Sequence, residues 1–133
     1  MTRLIIPAIV VLLVSGPAWA EEVLYCTDTD VNGFMWENGK AKPSTFNGTR
    51  FTVKVISETQ RFIKWKGFTE PIDYTCRKEK GQSGTRSHCN ASLGIIYWPI
   101  IFNGNTYVRS YLFGEHIGGG KNAFVAYGTC AKF

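Results

Sequence analysis

Four cysteines, Cys26, Cys76, Cys89 and Cys130, stand in a chain of 133 residues. An even number in so short a chain reads as a disulfide framework, and no other feature constrains the fold as much. Three pairings are possible. The favoured one joins Cys26 to Cys130 and Cys76 to Cys89, because the first would tie an N-terminal strand to the C-terminal strand and the second would close a short segment. In the chain-entropy account a loop of the smaller size is worth ~3 kcal/mol and one near a hundred residues ~4.7 kcal/mol. Both matter against a total stability of about 5–15 kcal/mol. Other uses of the sulfur are poorly served. No Cys-x-x-Cys occurs, and His88-Cys89 lacks the spacing of zinc ligands. No metal and no cofactor is expected.

Such crosslinks need an oxidising compartment, and residues 1–20 have the form of a leader that would deliver the chain to one. Arg3 gives a positive start, Leu4 to Val14 is apolar apart from Pro7, and Ala18-Trp19-Ala20 fits the small-x-small pattern before a cleavage point. The apolar run is well short of the ~20 residues that cross a bilayer. The expectation is a signal peptide over 1–20 and a single β-rich domain over 21–133. That domain would be periplasmic or secreted, with no stable membrane insertion after leader cleavage. Without Arg3 the net charge falls from +5 to +4. This mild excess is compatible with an anionic cell-surface polymer but does not demand one. A protein that leaves the cytosol is not expected to meet nucleic acid.

The body of the chain reads as strands and turns. Phe51-Thr52-Val53-Lys54-Val55 and Ile72-Asp73-Tyr74-Thr75-Cys76 alternate apolar with polar, the period of a half-buried strand. Arg61 to Lys66 makes a hairpin partner for the first of them. Ile95 to Trp98 is strand-like, with Pro99 as its interruption. Asn103-Gly104-Asn105 signals a turn, Thr106 to Phe113 is the longest β-rich segment, Gly118-Gly119-Gly120 is a connection, and Phe124 to Cys130 closes the chain as a strand. Between Asp28 and Gly48 turn residues dominate, and a short helix over Asn32–Lys40 stays open. Turn signals at this spacing predict an all-β fold: a small antiparallel β-barrel or sandwich of six to eight strands, stapled by two disulfides.

Motifs with chemistry are incomplete. Asp28-Thr29-Asp30-Val31-Asn32-Gly33 opens like a calcium loop, but the twelfth position is Gly39, where a bidentate Glu is needed. An Asx-rich turn is the simpler reading. Gly118-Gly119-Gly120-Lys121 lacks the spacing of a phosphate loop, and no Gly-x-Ser-x-Gly occurs. Glu70 and Asp73 would serve a hydrolase only if the fold brought them to face one another, with His116 as the other candidate base. No catalytic residues are assigned.

Three features favour binding. Arg77, Lys78, Lys80 and Arg86 against Glu79 give a basic stretch between Cys76 and Cys89, a preorganised recognition element if a disulfide closes it. Ile95 to Phe102 carries no charge. Most of it belongs in a core, with Trp98 and Phe102 as candidate exposed anchors. Trp36 and Trp65 sit among polar neighbours, where an indole suits stacking or lids a core.

The ending Ala126-Tyr127-Gly128-Thr129-Cys130-Ala131-Lys132-Phe133, with Cys26 after Tyr25, resembles a group of small exported bacterial proteins of unassigned function. The resemblance implies a bacterial exported protein and carries no activity. The general plan is also similar to that of the periplasmic lysozyme-inhibitor barrels, although the Ser-Gly-x-x-Tyr segment of those proteins is missing here. The expected function is therefore an exported, non-catalytic binding protein engaging a protein or cell-surface partner, enzyme inhibitors being one such class. The alternative is a β-barrel that binds a small ligand or glycan in a pocket lined by Trp36, Trp65 and Tyr107.

Overall fold

Period-two alternation becomes strand throughout the described residues, which are 21–82, 84–93, 96–113 and 122–132 of this computed structural model. Residues 1–20, where a leader is expected, and His116 and Gly118-Gly119-Gly120 lie outside them. The strands are β1 (Glu22–Glu37), β2 (Lys40–Thr45), β3 (Arg50–Val55), β4 (Gln60–Trp65), β5 (Ile72–Gly81), β6 (Gly84–Leu93), β7 (Ile96–Asn103), β8 (Thr106–Phe113) and β9 (Asn122–Lys132). Each pairs antiparallel with its neighbours in the sheet. β1 pairs with β3 on one side and with β9 on the other, so eight strands close into a barrel. β2 is the ninth strand and hangs on the far half of β1. Both favoured disulfides form, Cys26–Cys130 and Cys76–Cys89, and each joins residues that are partners in a strand ladder. Two such crosslinks suit an oxidising, extracytoplasmic environment. Among the described residues no helix is long and apolar enough to cross a membrane.

β1 explains where the turn-rich reading of residues 28–48 went astray. Asn38 and Gly39 have φ of 50° and 72°, the positive pair that a two-residue hairpin turn requires. They fold Glu37 onto Lys40, and the segment open to a helix is a hairpin instead. A bulge between Asp28 and Asp30 lets one strand serve three partners. It also shifts the phase: Leu24, Cys26 and Asp28 point inward before it, Val31 after it. Gly33 permits the close passage of β9, since a Cβ there would stand 1.9 Å from the Ala123 carbonyl oxygen. Pro99 does not end β7. It sits where β7 is paired with β6 alone, because the β8 ladder starts at Ile100.

The inward side chains form an aromatic column. Ring centroids step from Phe102 to Tyr107 (6.1 Å), to Phe51 (5.1 Å), to Trp65 (4.3 Å) and to Trp98 (6.4 Å). Arg61 closes the far end with its guanidinium 4.4 Å over the Phe102 ring. The candidate site is at the other end.

Candidate binding site at the barrel mouth

Two described connections, 46–49 and 66–71, meet at this end. The strand ends beneath them supply the walls. Trp65 closes β4, Tyr74 lies in β5, Trp98 in β7, Arg109, Ser110 and Tyr111 in β8, and Phe124 in β9. With Phe68 and Thr49 they enclose a cavity of about 250 Å³. Its walls are mostly aromatic. Tyr111 stacks on Phe124 at 5.3 Å, and Trp98 stands edge-on to Trp65 and to Phe68.

The floor is polar. Asp28 reaches inward at the bulge, and its side chain is wholly buried. Arg109 grips it side-on, Nε donating to Oδ1 at 3.0 Å and Nη2 to Oδ2 at 2.5 Å. The Tyr107 hydroxyl donates to Oδ1 at 2.8 Å, and the Thr49 amide to Oδ2 at 2.9 Å. Two glycines clear space for this node: a Cβ on Gly128 would stand 2.3 Å from the Tyr107 hydroxyl oxygen, and one on Gly48 would stand 2.9 Å from Asp28. A buried carboxylate holds its charge only with such partners. Burial alone would raise its pKa. The Arg109 hydrogen bond, the Thr49 amide, the Arg109 charge and the Tyr107 hydroxyl together outweigh that and hold it below the usual carboxylate range. Burial, with Asp28 beside it, pushes the Tyr107 phenol strongly up. Burial pushes Tyr74 up to about 12, and the nearby Arg109 charge opposes that only in part.

Arg109 also joins floor to wall. Its guanidinium carbon lies 5.0 Å from the Trp65 ring centre and 5.1 Å from that of Phe124, so two aromatic faces and one carboxylate fix its plane. Three wall residues carry polar atoms that are buried and unsatisfied among the described residues: Trp65 Nε1, Trp98 Nε1 and the Tyr74 hydroxyl. Leaving such groups unmatched costs about 1–3 kcal/mol each. Arg61 Nε and Asn90 Oδ1, away from the mouth, are the other two such atoms among the described residues.

The sequence-derived candidates separate. Trp65 and Trp98 line the cavity. Tyr107 lies beneath it, its hydroxyl spent on Asp28. Trp36 is out on the β1–β2 hairpin, 6.5 Å from Phe34. Phe102 is no exposed anchor. It is 4% exposed, because it shares the inward phase of Ile100 in β7. Arg77, Lys78, Lys80 and Arg86 are exposed on β5 and β6, in a continuous hairpin rather than a loop, with the Cys76–Cys89 bond across its base. Arg77 pairs with Glu79 and Lys78 with Glu58, which moderates the basic charge. Asp73 is exposed and accepts from Gln60, and Glu70 is exposed at the mouth-end turn. Asp30 and Asn32 are exposed while Asp28 is buried, so the calcium-like run does not converge. Among the described residues no group of His, Cys, Asp and Glu has metal-binding geometry.

Sequence reasoning missed the Asp28–Tyr107–Arg109 node. Its signal was present: Tyr107 and Arg109 share one phase of a strand whose other phase, at Val108, is exposed. An arginine in the inward phase needs a buried anion. No protein-family model and no curated protein matches the chain.

Proposed function

We propose that this protein is a non-catalytic, exported binding protein that takes a small amphipathic ligand into its barrel mouth. The observation that carries the reading is the aromatic cavity over a fixed Arg109, with Trp65, Trp98 and Tyr74 holding unspent hydrogen-bonding groups in its wall. Concave, mostly apolar sites with a few polar groups are where proteins bind small molecules, and barrel mouths are a usual place for them. A volume of about 250 Å³ suits a compact ligand of one or two rings. Six of the lining residues, Trp65, Phe68, Tyr74, Trp98, Tyr111 and Phe124, present aromatic rings, which favours an apolar body over a glycan. A thermal-shift screen of aromatic acids, short fatty acids and sugars tests it. At a hundred times Kd a ligand of the folded state adds about 2.7 kcal/mol. Stabilisation by aromatic or aliphatic compounds that is weakened by Trp98→Ala is the expected result. No response from any class refutes the reading.

A second reading keeps a protein or cell-surface partner, including an enzyme to be inhibited. It draws on the β5–β6 hairpin. Beyond Arg77 on one side and before Ser87 on the other, its strands pair only with each other among the described residues, so the backbone carrying Lys80 and Arg86 extends past the barrel.

A further inference from the structure

We infer that the ligand of the mouth cavity is an anion: a flat ring system carrying a carboxylate or comparable acid that docks on Arg109. This rests on the mouth being a ligand site, as proposed above, and adds the sign and shape of what enters.

The sign comes from the charge inventory. Arg109 and Lys66 line the cavity, and among the described residues no Asp or Glu does. Asp28 lies behind Arg109 with both oxygens already engaged. A guanidinium has five N–H donors in one plane. Two are given to Asp28, and the other three have no partner among the described residues. Because Asp28, Trp65 and Phe124 fix the plane, the remaining edge is a preset fork, the geometry that binds a carboxylate best. Outside the rim, Arg50, Lys64 and Lys66 line a single depression of the barrel wall with no carboxylate among its lining residues. A positive apron of this kind beside the mouth raises the local concentration of anions. A neutral ligand would gain the aromatic walls but would desolvate the Arg109 edge without replacing its hydrogen bonds. A cation would be repelled at both levels.

The shape comes from the walls. Stacked Tyr111 and Phe124 face a cluster in which Trp98 stands at 88° to Trp65 and 86° to Phe68. Flat faces and edges of this kind suit an aromatic ring better than a branched chain.

Three probes with one ring system separate the claims: 2-naphthoate, 2-naphthalenemethanol and 2-naphthylmethylammonium, each titrated calorimetrically into the oxidised protein. The expected result is that 2-naphthoate binds at least tenfold more tightly than the alcohol, with the ammonium weakest. Lys66→Glu, at an exposed rim position, should lower the naphthoate-to-alcohol preference about threefold. The pair Asp28→Asn with Arg109→Gln, which orphans no buried charge, should lower it tenfold or more where circular dichroism shows the barrel retained. If the alcohol or the ammonium binds as well as naphthoate, or if the preference survives Lys66→Glu unchanged, the anion inference is overturned while the ligand reading stands. If none of the three binds, the flat-ring anion inference is overturned, and the ligand reading falls only if the wider thermal-shift screen is also silent.

Discussion

Asp28 shows how much one inward carboxylate can organise. It is drawn into the barrel by the bulge in β1, and it holds together residues 79 and 81 positions away through Tyr107 and Arg109. That separation hid the node from the sequence, because nothing local pairs a turn-like Asp with a distant arginine. Only the strand phase of Tyr107 and Arg109 pointed to it. The node makes stability depend on pH in two directions. Asp28 has its folded pKa depressed, so its contribution is complete above the unfolded value of about 3.9 and is lost as pH falls through the folded value. Tyr74 and Tyr107 have theirs raised, so their contribution is complete below about pH 10 and is lost as pH rises toward the folded values. Urea midpoints measured from pH 2 to 12 should therefore show a plateau with an acid and an alkaline limb. Asp28→Asn should cost about 3–5 kcal/mol at pH 7, since it strips Arg109 of its counter-charge. It should also flatten the acid limb. An unchanged acid limb in that variant would mean that other carboxylates govern acid unfolding.

The strands differ in how openly the sequence announces them. β3 and β5 are regular alternations with Phe51, Val53, Ile72, Tyr74 and Cys76 inward, and both are legible as strands. β1 and β2 are not, because the bulge breaks the period and β2, Lys-Ala-Lys-Pro-Ser-Thr, has little apolar content to alternate. The legible signal there was the Asn38-Gly39 turn. β2 is also the free edge of the sheet, and its composition fits that position. Lys40, Lys42 and Pro43 are exposed, and lysine and proline are the residues that keep an edge from recruiting another strand. Lys42 is further held by Glu37 at 2.6 Å. Replacing Lys42 and Pro43 together by valine should leave the barrel folded and open its edge. Size-exclusion chromatography with light scattering should then show concentration-dependent dimers or larger species, whereas the unaltered protein stays at one size over the same range. If the valine variant elutes unchanged, the hairpin edge is protected by something other than these two side chains.

At the scale of the molecule, closure is what makes the mouth. Its lining runs from Asn47 to Phe124, and these positions meet only after β1 has found β9. The fold class and both crosslinks were legible from four cysteines and period-two alternation. The cavity was not, because it belongs to the topology and to no one segment. The Cys26–Cys130 bond lies on the closing β1–β9 ladder and spans 104 positions, whereas Cys76–Cys89 spans 13 within one hairpin. The chain-entropy account assigns the long crosslink somewhat more stability, ~4.7 against ~3 kcal/mol. Their places in the fold separate them further. Replacing Cys76 and Cys89 by serine loosens a hairpin whose strands remain neighbours, and the mouth lies at the other end of the barrel. Replacing Cys26 and Cys130 frees the closing seam itself. The seam variant should unfold at lower urea than the hairpin variant and should lose the protection of closing-seam amides in hydrogen exchange first, with the cavity lost in the same step. If instead the hairpin variant is the weaker of the two, barrel closure is carried by the β1–β9 ladder and the Asp28 node, and the seam crosslink only reinforces them.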